Sequence, residues 1–177
     1  MINAILRRLP YWGPLRLARS WLTPAIEVME AQPDDMINIL SDLSPHTPGV
    51  YFDEQPYASN YIAVRKRKIL GVVQLVRYPQ GQGPFEGHWL MGLYVWPRYR
   101  GLGIGRLLSS RVVEQSRSEG ADALHLLVWQ ENRPAIALYR RLCFQETVIP
   151  GLEKELALEH QRLGRRRIVF KLEFNRP

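Results

Sequence analysis

The chain has 177 residues, 46% of them hydrophobic and 23% charged, enough for one domain with a proper core and too few for two ordinary ones. That balance excludes a chain dominated by disorder, and no apolar stretch approaches the roughly 18 residues of a membrane span. Lys and Arg number 24 against 17 Asp and Glu, and the net charge of +7 favours a polyanionic ligand: nucleic acid, a membrane surface and a phosphorylated cofactor all fit.

Residues 1–24 read as a basic arm. Arg7, Arg8, Arg16 and Arg19 stand there without an acid, and Pro10, Gly13 and Pro14 argue against one continuous helix. Arginines and prolines interrupt the apolar residues, so a signal-peptide core of roughly 7–15 residues is not expected. The arm either touches an anionic membrane or a partner as an amphipathic segment, or packs on or trails from the domain that follows.

From residue 25 to 177 a single domain is expected. Ala25–Glu30 reads as a short strand, with Ile26 and Val28 alternating with less apolar neighbours. Pro33-Asp34-Asp35 opens a helix, because acids in a first turn suit the helix dipole, and the helix runs through Met36, Ile37, Leu40 and Leu43. Ser44–Pro56, with three prolines and a glycine, is a loop. Asn60–Val64 and Ile69–Tyr78 read as strands joined by a solvent-exposed hairpin over Arg65-Lys66-Arg67-Lys68. After a loop at Pro79–Pro84, His88–Val95 is apolar enough for a buried central strand.

Pro97–Gly105 breaks the pattern, and a helix follows. Leu107, Leu108, Val112 and Val113 form its apolar stripe, with Arg111, Glu114, Arg117 and Glu119 mostly on the wet side, and Gly120 suits its end. Ala123–Val128 is a strand, and Asn132 caps the next helix. Phe144–Ile149, Leu152–Leu163 and Arg167–Phe174 read as strand, helix and strand. The order describes a mixed α/β domain without an internal repeat.

A single cysteine, Cys143, excludes an intramolecular disulfide framework and argues for a reducing compartment, hence a cytoplasmic location. His46, His88, His125 and His160 are scattered without metal-ligand spacing, so no metal is expected.

The informative unit is a strand, a glycine-rich turn and a helix, Leu93 to Arg106. Glycines let backbone N–H groups turn inward without Cβ obstruction, and a helix N-terminus favours an anion. By itself this is also the pattern of a tight strand-to-helix connection. The Gly-Lys-Ser/Thr ending of a P-loop is absent, and Gly101-x-Gly103-x-Gly105 has the wrong spacing for a dinucleotide fingerprint.

Arg100-x-x-Gly103-x-Gly105, after Leu93-x-Val95-x-Pro97, resembles the Gln/Arg-x-x-Gly-x-Gly/Ala signature of the GCN5-related N-acetyltransferase (GNAT) superfamily. Downstream, Val128-x-x-x-Asn132-x-x-Ala135-x-x-Leu138-Tyr139-x-x-x-Cys143-Phe144 resembles that family's second acyl-CoA segment. The resemblance covers about Ala25 to Phe174 and implies an α/β (α+β) fold: a mixed central sheet flanked by helices and splayed at the cofactor site. It implies acetyl-CoA as co-substrate and a primary amine, of a small molecule or peptide, as acceptor.

By position, the resemblance gives the main chain of Leu93, Tyr94 and Val95 to the pantetheine arm and acyl carbonyl. The N–H groups of Arg100, Gly101, Leu102, Gly103, Ile104, Gly105 and Arg106 would cradle the pyrophosphate. Asn132 would reach the cofactor, a role compatible with its capping. Tyr139 would lie beside the thioester sulfur, where a phenol with a pKa of roughly 10 can serve the departing thiolate; on an apolar helix face it is equally a core aromatic. Cys143 stands where the family commonly has glycine and reads as a small buried residue.

The amine must lose a proton before attack. Histone-acetylating members carry a glutamate on the fourth strand, where this chain has Trp89; Glu86 and His88 on the same stretch are the candidate bases. Trp89, Tyr57 or Tyr61 could instead shape an amine site, and Ser44–Pro56 and Gly151–Gly164 are the segments expected to build it. Two other readings stand beside the enzyme: a non-catalytic acyl-CoA-binding domain, and a nucleic-acid or membrane binder using the arm and Arg165-Arg166-Arg167, for which no recognised motif exists. Nucleic acid is not the expected partner. Oligomeric state stays open, a homodimer included.

Overall fold

The apolar run at the centre of the second predicted hairpin strand becomes the backbone of the sheet. In the computed structural model, which describes residues 25–43, 57–81 and 83–174, this strand (β3, Lys68–Tyr78) is buried from Leu70 through Val76 and lies between β2 (Ala58–Arg65) and β4 (Gly87–Val95). The basic arm and the Ser44–Pro56 loop lie outside the described residues. Lys66 and Arg67 close the β2–β3 hairpin with φ of 51° and 61°, the two-residue turn whose twist matches that of paired strands.

Among the described residues seven strands form one sheet in the order β1-β2-β3-β4-β5-β7-β6, with β1 at Glu27–Glu30, β5 at Ala123–Trp129, β6 at Gln145–Thr147 and β7 at Arg167–Glu173. Every neighbouring pair is antiparallel except β4 with β5. Alternation along each strand sorts the core onto two faces. Leu124, Leu126 and Val128 of β5 join Ile168 and Phe170 of β7 in one cluster, together with Ile104, Leu108 and Val112 of α2 (Ile104–Ser118) and Ile136 and Tyr139 of α3 (Arg133–Arg141). The opposite face carries α1 (Pro33–Leu43), whose Ile39 and Leu43 pack on Ile62 and Val72, and α4 (Leu152–Leu163), whose Leu152 packs on Trp89 and Val169.

Three local expectations change. On α1 the inward face is Ile39 and Leu43, while Ile37 is 65% exposed; Asp35 accepts the Gln32 N–H at 2.9 Å and sets where the first turn begins. On α2, Leu107 is largely exposed, and Ile104, Leu108, Ser109, Val112 and Ser116 form the buried stripe. The sixth strand is only three residues long, since β6 is an edge paired with β7 alone and Val148 has already left the sheet.

Both α2 and α3 end in the same backbone device. The N–H of Gly120 reaches the Arg117 carbonyl and that of Ala121 reaches Ser116, at 3.0 and 3.2 Å. Cys143 and Phe144 bond Arg140 and Tyr139 in the same way, both at 3.0 Å. Such a close needs a left-handed residue, and Cys143 takes φ of 66° where glycine would be unstrained. The expectation of a buried Cys143 is corrected: this conformation turns it outward, and it is exposed.

Glu119, assigned to the wet side by periodicity, is the partner of Arg77 on β3. Arg77 Nε and Nη2 donate to its two carboxylate oxygens at 2.6 and 2.7 Å, while Nη1 donates to Ser59 Oγ and to the Tyr57 carbonyl. The guanidinium holds the Glu119 carboxyl below its usual range. His88 shares a 2.9 Å hydrogen bond with buried Ser116 Oγ, and burial lowers its pKa.

Two stability effects follow. Cys143→Gly should stabilise the fold by about 1 kcal/mol and raise the melting temperature by about 3 °C, read by thermal denaturation. Glu119→Gln should cost about 2 kcal/mol at neutral pH by leaving Arg77 without its carboxylate. A lowered folded pKa means stability present above the unfolded value and lost as pH falls. The wild type should therefore weaken on acidification below about 6.5 through His88 and again below 4.5 through Glu119. Melting curves across that range should show Glu119→Gln with a smaller second loss.

Candidate active site

β4 and β5 run side by side only briefly. His88, Trp89 and Leu90 pair with Leu124, His125 and Leu126, and the ladder ends there. Beyond it β5 continues against β7 and β4 continues against β3. The cause of the parting lies in β4: between the Gln74–Met91 and Val72–Tyr94 pairs, Gly92 and Leu93 together oppose the single residue Val73. This is a β-bulge, and Gly92 carries its left-handed φ of 59°. A bulge bends its strand and sharpens the twist, which turns the end of β4 away from β5.

Beside the parted end of β4, between it, the start of α2 and α3, lies a cleft of about 940 Å³. Leu93, Tyr94 and Val95 form one wall, with β4 main chain that the β5 ladder has released. The chain then makes a short 3-10 turn at Pro97–Tyr99, and Arg100 continues extended. The Arg100 guanidinium is folded back, its Nε donating to the Val95 carbonyl at 3.0 Å and its carbon lying 5.7 Å from the Tyr94 ring centre.

Gly103 takes the helix N-cap position of α2 with φ of 80°, offers no capping side chain, and accepts the Leu107 N–H as the first helical bond. The N–H groups of Ile104, Gly105 and Arg106 therefore have no partner inside the helix. No acid stands in this first turn to compete for them. Gly105 matters for space: a Cβ there would come within 3.3 Å of Leu138 Cδ2, so its absence lets the first turn of α2 approach α3.

α3 supplies the far wall. Asn132 Oδ1 accepts the Ala135 N–H at 3.2 Å as the helix cap, and Pro134, Ala135, Leu138 and Arg141 line the cleft beside it. Arg100, Arg106 and Arg141 give the lining three guanidinium groups, and no carboxylate or imidazole belongs to it among the described residues. A helix N-terminus with free donors, beside three cations, suits a polyanion such as a diphosphate.

The sequence-derived residues divide clearly. Leu93, Tyr94, Val95, Arg100, Gly101, Gly103, Ile104, Gly105, Arg106 and Asn132 line this cleft. Leu102 does not; it is 54% exposed at the loop tip. Tyr139 lies one turn beyond Ala135 but on the flank that enters the core, where it meets Phe144 edge-on at 5.8 Å. Burial pushes its phenol well above the usual 10.

Glu86 and His88 are not brought to the cleft. Glu86 is an exposed turn residue that accepts the Gly81 N–H, and His88 faces the last turns of α2 through Ser116. His88 stands five positions before Leu93 along the strand, a rise of about 16 Å. Trp89 is fully buried between Phe85 and His125, each ring centre 5.2 Å away, on the α4 face. Tyr57 belongs to that same cluster, whereas Tyr61 lies in the α2 core under Arg111.

Sequence reasoning missed Gly92, whose signal was an isolated glycine inside a strand pattern. It also missed Arg141 and Pro134, which with Leu138 repeat at three- to four-residue spacing along one side of α3. Among the described residues no group of three or more His, Cys, Asp or Glu is arranged to hold a metal, and no helix is long and apolar enough to cross a membrane.

Comparison with known proteins agrees with this geometry. Residues 25–144 match the model of the Acetyltransferase (GNAT) family. Mycothiol acetyltransferase of Thermobifida fusca is 29% identical over 132 residues, covering 72% of this chain and 40% of that protein. Its counterpart in Thermomonospora curvata is 29% identical over 131 residues, 74% of this chain and 41% of that one. The chain thus spans about 40% of the length of these relatives. Among solved structures, ribosomal-protein-alanine N-acetyltransferase from Brucella melitensis superposes with a TM-score of 0.63 at 18% identity, over 84% of this chain and 99% of that chain. Arabidopsis thaliana NAA60 in complex with acetyl-CoA also gives 0.63, at 20% identity over 86% and 100%. At those identities the likeness is one of fold. The bulge-opened cleft and the match over residues 25–144 lead to one conclusion: the chain belongs to the GNAT acetyltransferase family.

Proposed function

We propose that the protein is an N-acetyltransferase that moves an acetyl group from acetyl-CoA to a primary amine of a small molecule or peptide. The observation that carries this reading is the cleft itself: released β4 main chain lies beside a helix N-terminus with free donors, three guanidiniums and, among the described residues, no acid. The curated relatives are acetyltransferases, and a structural neighbour holds acetyl-CoA, which supports the choice of donor.

Acetyl-CoA would supply an activated thioester; the chain supplies position and charge. The N–H groups of Ile104, Gly105 and Arg106 face the diphosphate, and Arg100, Arg106 and Arg141 add charge around it. Main-chain donors of Leu93–Val95 orient the pantetheine and polarise the acyl carbonyl, where a preorganised N–H is most effective. Asn132 stands at the opposite wall.

The family resemblance gives Tyr139 to the departing sulfur, although its ring enters the core and does not line the cleft. A thiol has a pKa of about 8.5, and a phenol raised above 10 holds its proton more tightly than that. Its role is therefore to donate a hydrogen bond to the thiolate rather than to surrender the proton outright. With neither Glu86 nor His88 at the cleft, the amine releases its proton to solvent water there. The lack of a carboxylate or imidazole among the described residues of the lining is the one observation that favours a second reading, an acyl-CoA-binding domain without turnover.

Acetyl-CoA at millimolar concentration should raise the melting temperature by several degrees; no shift would remove the cofactor assignment. An amine panel should then release coenzyme A thiol, whereas binding without release would select the second reading. Tyr139→Phe should lower kcat by about a hundredfold while changing acetyl-CoA affinity less than about threefold, since the lost hydroxyl acts on the leaving sulfur. An unchanged kcat removes Tyr139 from that role.

A further inference from the structure

A cation in the first turn of a helix is misplaced unless an anion stands beside it, because the dipole there already carries partial positive charge. Arg106 is the third residue of α2, in a first turn without an acid, and it is exposed. Arg141 ends α3, is exposed as well, and lies in the same cleft lining. Arg77, Arg165 and Arg167 each hold a carboxylate. Among the described residues neither Arg106 nor Arg141 forms an ion pair.

The backbone brings these two cations together. Gly105 is where α2 and α3 touch, since a Cβ there would lie 3.3 Å from Leu138 Cδ2. Arg106 is the next residue along α2, and Arg141 stands one turn past Leu138, a rise of about 4.5 Å. Each guanidinium rides on a flexible methylene stem that can span such an offset. The third guanidinium of the lining is committed elsewhere: Arg100 Nε donates to the Val95 carbonyl at 3.0 Å, which holds that side chain against β4. The cations of the cleft therefore divide into one beside the strand and two beside the contact of the helices.

Position along α3 sets these two apart from the reacting end. Asn132 caps the helix next to β5, its N–H bonded to the Trp129 carbonyl at 2.9 Å. Arg141 is nine residues on, roughly 14 Å along the axis. A cofactor with its acyl end at the β4 bulge and its diphosphate at the Ile104–Arg106 donors carries its adenosine beyond them, toward Arg141. Coenzyme A bears a third phosphate on that adenosine, at the 3′-oxygen of the ribose. Such a monoester presents close to two negative charges at neutral pH and three acceptor oxygens, the group that paired guanidiniums bind best.

We infer, resting on the cofactor reading above, that Arg106 and Arg141 form a separate anion subsite for the 3′-phosphate, so that the protein selects coenzyme A over its 3′-dephosphorylated form. Arg106 thereby gains the anion that its place in the helix calls for, and the diphosphate keeps the main-chain donors and Arg100.

Calorimetric titration of the full chain with coenzyme A and with dephospho-coenzyme A reads this preference without turnover. The wild type should bind coenzyme A at least about tenfold more tightly. Arg141→Gln should weaken coenzyme A by about tenfold while leaving dephospho-coenzyme A within about twofold, and Arg106→Gln should narrow the same gap. Arg140→Gln removes an exposed cation one residue away that is not in the lining, and it should leave the gap intact. Equal affinities in the wild type, a gap that survives Arg141→Gln, or a gap that Arg140→Gln closes equally well overturns the subsite. So does an equal loss of both ligands in Arg141→Gln, which marks a role in the fold or at the diphosphate. Tight but equal binding of the two ligands leaves the cofactor reading standing without the subsite, whereas no binding of either at millimolar concentration removes the cofactor reading itself.

Discussion

The two-for-one bulge at Gly92 and Leu93 is the constraint from which the rest of the site follows. Before it, β4 is an ordinary central strand with partners on both sides; after it, the strand leans away and one row of backbone groups is released. The sheet can tolerate this only because β5 has β7 as its other neighbour and β4 has β3, so neither strand is left alone. Nearby Gly71 assists: a Cβ there would lie 2.8 Å from the Tyr94 carbonyl, in the path of the displaced strand. A single left-handed glycine thus turns an edge-to-edge contact into a binding wedge.

α2 serves this wedge from both of its ends. Its first turn presents unpaired N–H groups into the cleft, and its last turns are tied to the sheet by Arg77, Glu119, His88 and Ser116. The tie holds the helix axis, and with it the direction of the donors some fifteen residues away. The charge follows the same logic. A surplus of cations in the composition says little until it is placed, and here three guanidiniums line a cleft that holds no acid among the described residues.

Features encoded by neighbouring residues were legible in the sequence. Arg100-x-x-Gly103-x-Gly105 specifies a turn that only glycine makes cheaply, and Asn132 specifies a helix start; both are local, and both lie in the cleft lining. The strand and helix order was legible for the same reason. What depends on long-range pairing was hidden. Glu119 and Arg77 are 42 positions apart, so the wet side of α2 looked uniformly wet. His88 shares a strand with Leu93 and invites a shared role, yet strand rise alone puts it at the far end. Which flank of α3 Tyr139 occupies is decided by Phe144, a contact that helical periodicity does not encode.

The strands at the two margins of the sheet are its shortest, four residues at β1 and three at β6. An unpaired margin invites a second chain to extend the ladder, and the hazard grows with the length and apolarity of the exposed strand. Glu27 and Glu30 bracket one margin, and Glu146 occupies the middle of the other. Carboxylates set in such brief strands leave an incoming chain few bonds to make and a repulsion to overcome. Among the described residues, the sheet thus opens at its centre for a ligand and offers little ladder at its margins.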